Sequence, residues 1–389
     1  MLLIDATHTS HTRAQTGIQR VVRSLCTELA GRGPIHPVCF DPHQRAWRGL
    51  NSAERTTLED RSGAGRTRGA HWTLAQKILG RARRLAGRVT KLPPAQALVC
   101  PELFSARAAA HLPELFSHVS GPRVAVFHDA IGLKFPELTP PATVARLPAY
   151  LRELAQFDGV AAVSEDSAAS LRDFWRWAEL GSTPPVVAIP LGVDPVPAPE
   201  REVRPGALPR VLCVATLEGR KNHLSLLEAA EVLWAAGVQF ELELIGMPRT
   251  DTGARVVERI RQLQASGRAL AYHGAVPESK LHAAYARCDF TVYPSLYEGF
   301  GLPVIESLQH GKPCVVSRGG ALAEVARGGG VVSLPAATAG ELAKEMRRLL
   351  LEPTALAELA HAARLRKFRS WSDYAADFSA WLRTLPRRS

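Results

Sequence analysis

A chain of 389 residues is too long for one ordinary core, and 46% hydrophobic with 22% charged residues describes a soluble globular protein of two domains. No run of eighteen apolar residues is present, and six cysteines without C-x-x-C spacing give neither a membrane-crossing helix nor a zinc or disulfide framework. The net charge of +11 is concentrated in residues 41–95, which hold twelve Lys or Arg against four Asp or Glu, so a uniformly basic nucleic-acid binder is excluded.

The chain opens with MLLIDATHTS, which lacks a basic leader and reads as a first strand at 2–7. After it, Thr16 and Gly17 precede a helix from Ile18 to about Ala30, a loop-to-helix start that can meet a phosphate. His8 and His11 lie nearby without a third ligand, so no metal is expected. A strand at 37–40 leads into the basic segment. Within it, TLAQKILGRARRLAGRV (73–89) holds no acid and reads as an amphipathic helix despite Gly80 and Gly87. Leu74, Ile78, Ala82, Leu85 and Val89 form one stripe; Lys77, Arg81, Arg84 and Arg88 form another. Such a helix either packs on the first domain with a solvated basic face or lies on an anionic membrane leaflet. Strands follow at 97–100, 124–129, 159–164 and 186–190. His128, at the end of the 124–129 strand, either hydrogen-bonds a substrate or is a structural histidine.

Residues 192–209 carry five prolines and read as the linker. The second half repeats the rhythm, with strands at 210–216, 240–246, 269–274, 289–295, 313–317 and 331–334. Cys39, Cys100, Cys213 and Cys314 fall in apolar strand-like runs, where buried free thiols are expected, and this points to a reducing cytoplasm. After the first strand of this half, TLEGRKNHLSLLEA puts Arg220 and Lys221 at a helix mouth, with Asn222 as expected N-cap. Cations there oppose the helix dipole, so they suit a bound pyrophosphate; otherwise they are two solvated charges. In YPSLYEGFGLPVIESLQHGKP (293–313), a strand, a glycine loop and a helix begun by Pro303 follow one another. Gly299 and Gly301 let a backbone approach a ligand, and Glu298 and Glu306 flank the turn. Glu306 could equally be a glutamate that stabilises its helix. No G-x-S-x-G, Walker or G-x-G-x-x-G motif follows a strand where it would act.

Glu298-Gly-Phe-Gly-Leu-Pro with Glu306 resembles the glutamate–seven-residue–glutamate motif of glycosyltransferase family 4. Thr16-Gly17, His128-Asp129, AVSEDSAASL (162–171), IPLGVD (189–194) and LEGRKN (217–222) occur in the family's order. The resemblance covers nearly the whole chain except residues 41–95. It implies a GT-B fold, two doubly wound parallel-sheet domains facing across a cleft: residues 1–191 for the acceptor, 192–370 for the nucleotide sugar, and a helix at 371–389 crossing back. It implies that Glu306 holds the donor ribose and Glu298 the sugar hydroxyls. The backbone at Phe300, Gly301 and Leu302 would meet sugar and phosphate, and Arg220 and Lys221 would neutralise the diphosphate without a metal or other cofactor. Gly17 would let the first loop approach the diphosphate, and His128 would touch the transferred sugar. Two departures stand out, Gly219 and Ala323, where the family often has proline. The mannosyltransferase-like branch is the nearest likeness, implying hexosyl transfer from GDP-mannose to a lipid-linked or polysaccharide acceptor, with retention, at the cytoplasmic membrane. A UDP-sugar or dTDP-rhamnose donor, a sugar-nucleotide epimerase, and a non-enzymatic membrane-docking protein are the alternatives; nucleic acid is not an expected partner.

Overall fold

The computed structural model describes residues 1–61, 69–87, 91–196, 208–249 and 252–386. The chain divides into two units. The first comprises Met1–Ala130, Ala145–Gly192 and Trp371–Ser389; the second comprises Ile131–Val144 and Val193–Ser370. Among the described residues, no helix is long and apolar enough to cross a membrane.

The first unit is built on a seven-stranded sheet in the order β3-β2-β1-β4-β5-β6-β7. Its strands are β1 (Leu2–Asp5), β2 (Ile35–Asp41), β3 (Ala46–Gly49), β4 (Ala97–Cys100), β5 (Arg123–Phe127), β6 (Gly159–Ala162) and β7 (Val186–Ala188). All neighbours are parallel except β2 and β3. Unbroken apolar runs such as ALVC suit strands covered on both faces, and β4 is buried throughout. Three helices of this unit matter below: α1 (Gly17–Ala30), α2 (Ser52–Glu59) and α3 (Leu74–Leu85).

The antiparallel edge strand β3 has no counterpart among the expected strands. Asp41 makes its hairpin: Oδ1 accepts the His43 and Gln44 N–H groups at 2.9 and 3.0 Å, and Oδ2 accepts from Arg48 at 3.0 Å. Across the pair, Phe40 faces Trp47 with ring centroids 5.5 Å apart, and Trp47 is fully buried. The C-terminal helix, Trp371–Thr384, packs against α1, and its Trp371, Tyr374 and Phe378 are buried.

The second unit carries a six-stranded parallel sheet, β10-β9-β8-β11-β12-β13. Its strands are β8 (Arg210–Val214), β9 (Glu241–Ile245), β10 (Leu270–His273), β11 (Phe290–Tyr293), β12 (Cys314–Ser317) and β13 (Val331–Leu334). In both sheets the order reverses at an inner pair, β1/β4 and β8/β11. At such a switch point the following loops part to opposite faces and leave a crevice beyond the strand ends. All six cysteines are buried as free thiols. Burial lifts Cys26, Cys213, Cys288 and Cys314 to about 12, and Cys39 and Cys100 well above their usual value.

Candidate active site

The β8/β11 crevice gathers three of the expected residues on one oxygen. Arg220 and Lys221 stand in the short turn Gly219–Lys221 after β8, and Glu298 follows β11. Arg220 Nη1 lies 2.7 Å and Lys221 Nζ 2.5 Å from Glu298 Oε1. Tyr293 Oη donates to that same oxygen at 3.0 Å, and the Ser295 hydroxyl donates to it as well. Lys221 also donates to Tyr293 Oη at 2.5 Å. Arg220 is fixed on its other side by Glu218 Oε1 at 2.7 Å and the Tyr297 carbonyl at 2.9 Å. Burial alone would raise the Glu298 carboxyl, but Arg220 and then Lys221 outweigh it and hold it at about 2. Burial works against both cations. For Arg220, Glu298 and Glu218 more than offset it; for Lys221, burial together with Arg220 prevails and the ammonium pKa falls. The two cations of the cluster are held by the protein's own carboxylates, Arg220 by Glu298 and Glu218 and Lys221 by Glu298.

Asn222 departs from the expected cap. It occupies the N-cap position of the helix His223–Ala235 in a left-handed conformation, φ 54°, and its side chain makes no capping bond. Its Nδ2 instead donates to the Ala337 carbonyl at 3.0 Å. Gly219 also has a local reason: a Cβ there would meet Leu138 Cδ2 at 3.0 Å.

Glu306 lies in the helix Leu302–Gln309, buried, and its Oε2 accepts from Tyr285 Oη at 3.1 Å. The Tyr285 ring stacks on His310 at 5.1 Å, and His310 Nε2 is 3.1 Å from His282 Nδ1. Gly301 is the N-cap with φ 107°, a backbone that L side chains rarely adopt, and a Cβ would meet Leu322 at 3.0 Å. Pro303 sits in the first turn, as the sequence predicts, and Phe300 packs partly buried against the cluster holding Leu302. The N–H groups of this first turn lie beside the glycine loop, where an anion would find them.

In the first unit, His128 follows β5. Its Nε2 donates to the Pro101 carbonyl at 2.8 Å, and burial lowers its pKa, so the ring is neutral with Nδ1 left to accept. Gly17 is the exposed first residue of α1. The loop after β1 is tied down more firmly than its sequence suggests. Asp5 Oδ1 accepts the Thr7 N–H at 2.9 Å, while buried Glu102 accepts the His8 and Thr9 N–H groups at 2.6 and 2.7 Å and the Thr9 hydroxyl. Burial raises Asp5 to about 6; burial and then Asp5 raise Glu102 to about 8.

Raised carboxyl pKa values mean that the unfolded chain ionises first. The stabilisation is complete below about pH 4, the unfolded value, and is lost as pH rises through 6 and 8. Asp5→Asn keeps the Oδ1 acceptor and removes one charge. It should raise stability at pH 8 on the order of 2 kcal/mol and flatten the decline, read from urea midpoints between about pH 5 and pH 8. A decline as steep as in the parent protein would sink this assignment.

His11 serves structure: Nδ1 meets the Thr7 carbonyl at 2.9 Å, Nε2 meets Glu54 at 3.1 Å, and Trp72 stacks on the ring. Among the described residues no group of three or more His, Cys, Asp or Glu could hold a metal. The predicted amphipathic helix forms as α3, ended at Leu85, with a capping box from Thr73 and Gln76. Arg88 and Val89 lie outside the described residues. Lys77 is half-buried, and Arg81 and Arg84 are exposed.

Sequence reasoning missed Tyr293, Ser295, Glu218 and Tyr285. Ser295 was within reach of the rule that polar residues just after strands line the crevice; Tyr285 lies in a helix whose contact with Glu306 has no local signal.

Residues 198–366 match the model of the family described as "Glycosyl transferases group 1". The "Serotype-specific mannosyltransferase WbdA" of Escherichia coli is 26% identical over 341 residues, 81% of this chain and 38% of that protein. The chain thus spans well under half the length of that relative. The "MMP alpha-(1->4)-mannosyltransferase" of Mycolicibacterium hassiacum is 32% identical over 193 residues, 48% of this chain and 46% of that one. Among solved structures, sucrose-phosphate synthase from Thermosynechococcus elongatus matches with a TM-score of 0.70 at 21% identity, over 98% of both chains. Anabaena HepE in complex with UDP and glucose matches at 0.68 and 16% identity, over 99% of both. Residues 198–366 are thus similar to the group 1 glycosyl transferases, and the fold of the chain is GT-B.

Proposed function

We propose that this protein is a retaining transferase that moves mannose from GDP-mannose to a lipid-linked or polysaccharide acceptor of a cell-surface glycan, at the inner face of the cytoplasmic membrane. The observation that carries the reading is the convergence of Arg220 and Lys221 on Glu298 beyond β8 and β11, within the matched family region. A nucleoside diphosphate is the anion that paired cations beside a helix N-terminus suit. Relatives named for mannosyl transfer favour mannose as the sugar.

In the proposed reaction the bond between the anomeric carbon and the diphosphate oxygen breaks. An acceptor oxygen bonds that carbon on the same face, and its proton passes to the departing phosphate. Arg220 and Lys221 hold the charge that develops there, with the first turn of the helix Leu302–Gln309. Glu298 orients the sugar hydroxyls, the backbone at Phe300, Gly301 and Leu302 lies along sugar and phosphate, and Glu306 takes the ribose. From the first unit, His128 is assigned as a neutral hydrogen-bonding group for the sugar and Gly17 as an approach for the diphosphate. A UDP-sugar donor is the second reading, favoured by a fold-level neighbour that holds UDP and glucose.

A panel of nucleotide sugars decides between donors by thermal shift, since a ligand at a hundred times its Kd adds about 2.7 kcal/mol. GDP-mannose should give the largest shift, and transfer from it should persist in excess EDTA because protein cations take the metal's place. No shift with any nucleotide sugar would sink the transferase reading. Complete inhibition by EDTA, reversed by Mg²⁺, would sink the metal-independent one.

A further inference from the structure

We infer that α3 is an interfacial anchor that inserts its apolar stripe into an anionic lipid bilayer. The inference deepens the reading of a lipid-linked acceptor and rests on it for its purpose; vesicle binding and sugar transfer are read separately.

The helix is seated on the first unit by one narrow face. Gly80 is its only buried residue. A Cβ there would lie 2.9 Å from His43 Cβ and 3.0 Å from Asp41 Oδ1, so the absence of a side chain sets how closely the helix lies on the β2–β3 turn. One turn earlier, Gln76 Nε2 donates to Glu54 Oε1 at 2.8 Å. At about 100° per residue, Gln76 and Gly80 point away from Leu74, Ile78 and Leu85. Those three are 72%, 58% and 89% exposed, and Leu79 is 49% exposed at the border. A helix kept by packing alone would turn its leucines inward. This one turns them outward.

The charges fit one kind of partner. Lys77, Arg81 and Arg84 run along one edge of the stripe, and no Asp or Glu occurs between Thr73 and Gly87. The acids beneath the seat are Asp41 and Glu54, and both are paired with Arg48, at 3.0 and 2.7 Å. The outward field is therefore positive beside an apolar strip. A protein partner could cover leucines, but leucines bordered by cations with no ion pair to an acid among the described residues match acyl chains beneath anionic headgroups.

The full chain would be sedimented with vesicles of phosphatidylcholine alone and of phosphatidylcholine with phosphatidylglycerol. Binding should require the anionic lipid and weaken as salt rises. Replacing Lys77, Arg81 and Arg84 together by Gln should weaken binding roughly a hundredfold, at about fivefold per cation. Leu74→Ser, Ile78→Ser and Leu85→Ser together should lose binding at any salt, with an unchanged unfolding midpoint because the three are exposed. If the serine variant pelleted like the parent protein, insertion would be refuted. A parent protein that is dimeric, with a monomeric serine variant of undiminished vesicle binding, would assign the stripe to a second copy and overturn the inference too.

Discussion

Glu298→Gln should nearly abolish sugar transfer while strengthening the binding of the free nucleoside diphosphate. Glutamine keeps an oxygen for the four donors that converge on Oε1 and changes little in volume. What it removes is the negative charge that occupies Arg220 and Lys221. At about 4 Å and an effective dielectric near 20, one such pair is worth about 4 kcal/mol. In the proposed reaction an incoming diphosphate would compete with that carboxylate for the same cations. Even a third of the released interaction gives roughly a tenfold gain in affinity. Transfer should fall about 10²- to 10³-fold, the usual loss of a group aimed at the reacting centre. Calorimetric titration with GDP beside turnover measurements reads both. Weaker GDP binding by the variant would show that Glu298 does not compete with the diphosphate.

Glu306→Ala should move the same titration the other way. Its carboxylate lies in the helix after the glycine loop, with Oε2 held by Tyr285. A carboxylate accepting from two ribose hydroxyls makes charge-assisted bonds, each about 1.5–3 kcal/mol. Losing both should weaken GDP binding roughly a hundredfold or more. Glu306→Gln retains an acceptor for Tyr285 and should fall between. The two glutamates are therefore separated by sign in one measurement. Parallel losses in Glu298→Gln and Glu306→Ala would contradict the division of labour between sugar and ribose.

The twelve strands expected from apolar runs all form; those covered on both faces, such as β4 and β6, must be apolar throughout and so announce themselves. The antiparallel β3 stayed hidden. Ala-Trp-Arg-Gly carries no run, and its pairing depends on Asp41 and Arg48, a contact written in three dimensions. Three of the candidate site residues could also be placed together from the sequence. Arg220, Lys221 and Glu298 stand after strands, where topology brings loops together; that they share one carboxylate oxygen depends on the parallel pairing of β8 with β11. Nor could spacing reveal which side of α3 faces the body. Periodicity finds the apolar stripe, and by habit an apolar stripe is assigned to the core. In α3 the buried side is that of Gly80, and Leu74, Ile78 and Leu85 are exposed.

The six sequestered thiols should leave the native chain silent towards alkylating probes at neutral pH, because each sulfur is covered and burial pushes its pKa up. No native cysteine has to be removed before labelling. One cysteine introduced at exposed Ala75 on α3 would carry a polarity-sensitive dye on an otherwise blank background. Its emission would show whether the helix leaves water when anionic vesicles are added.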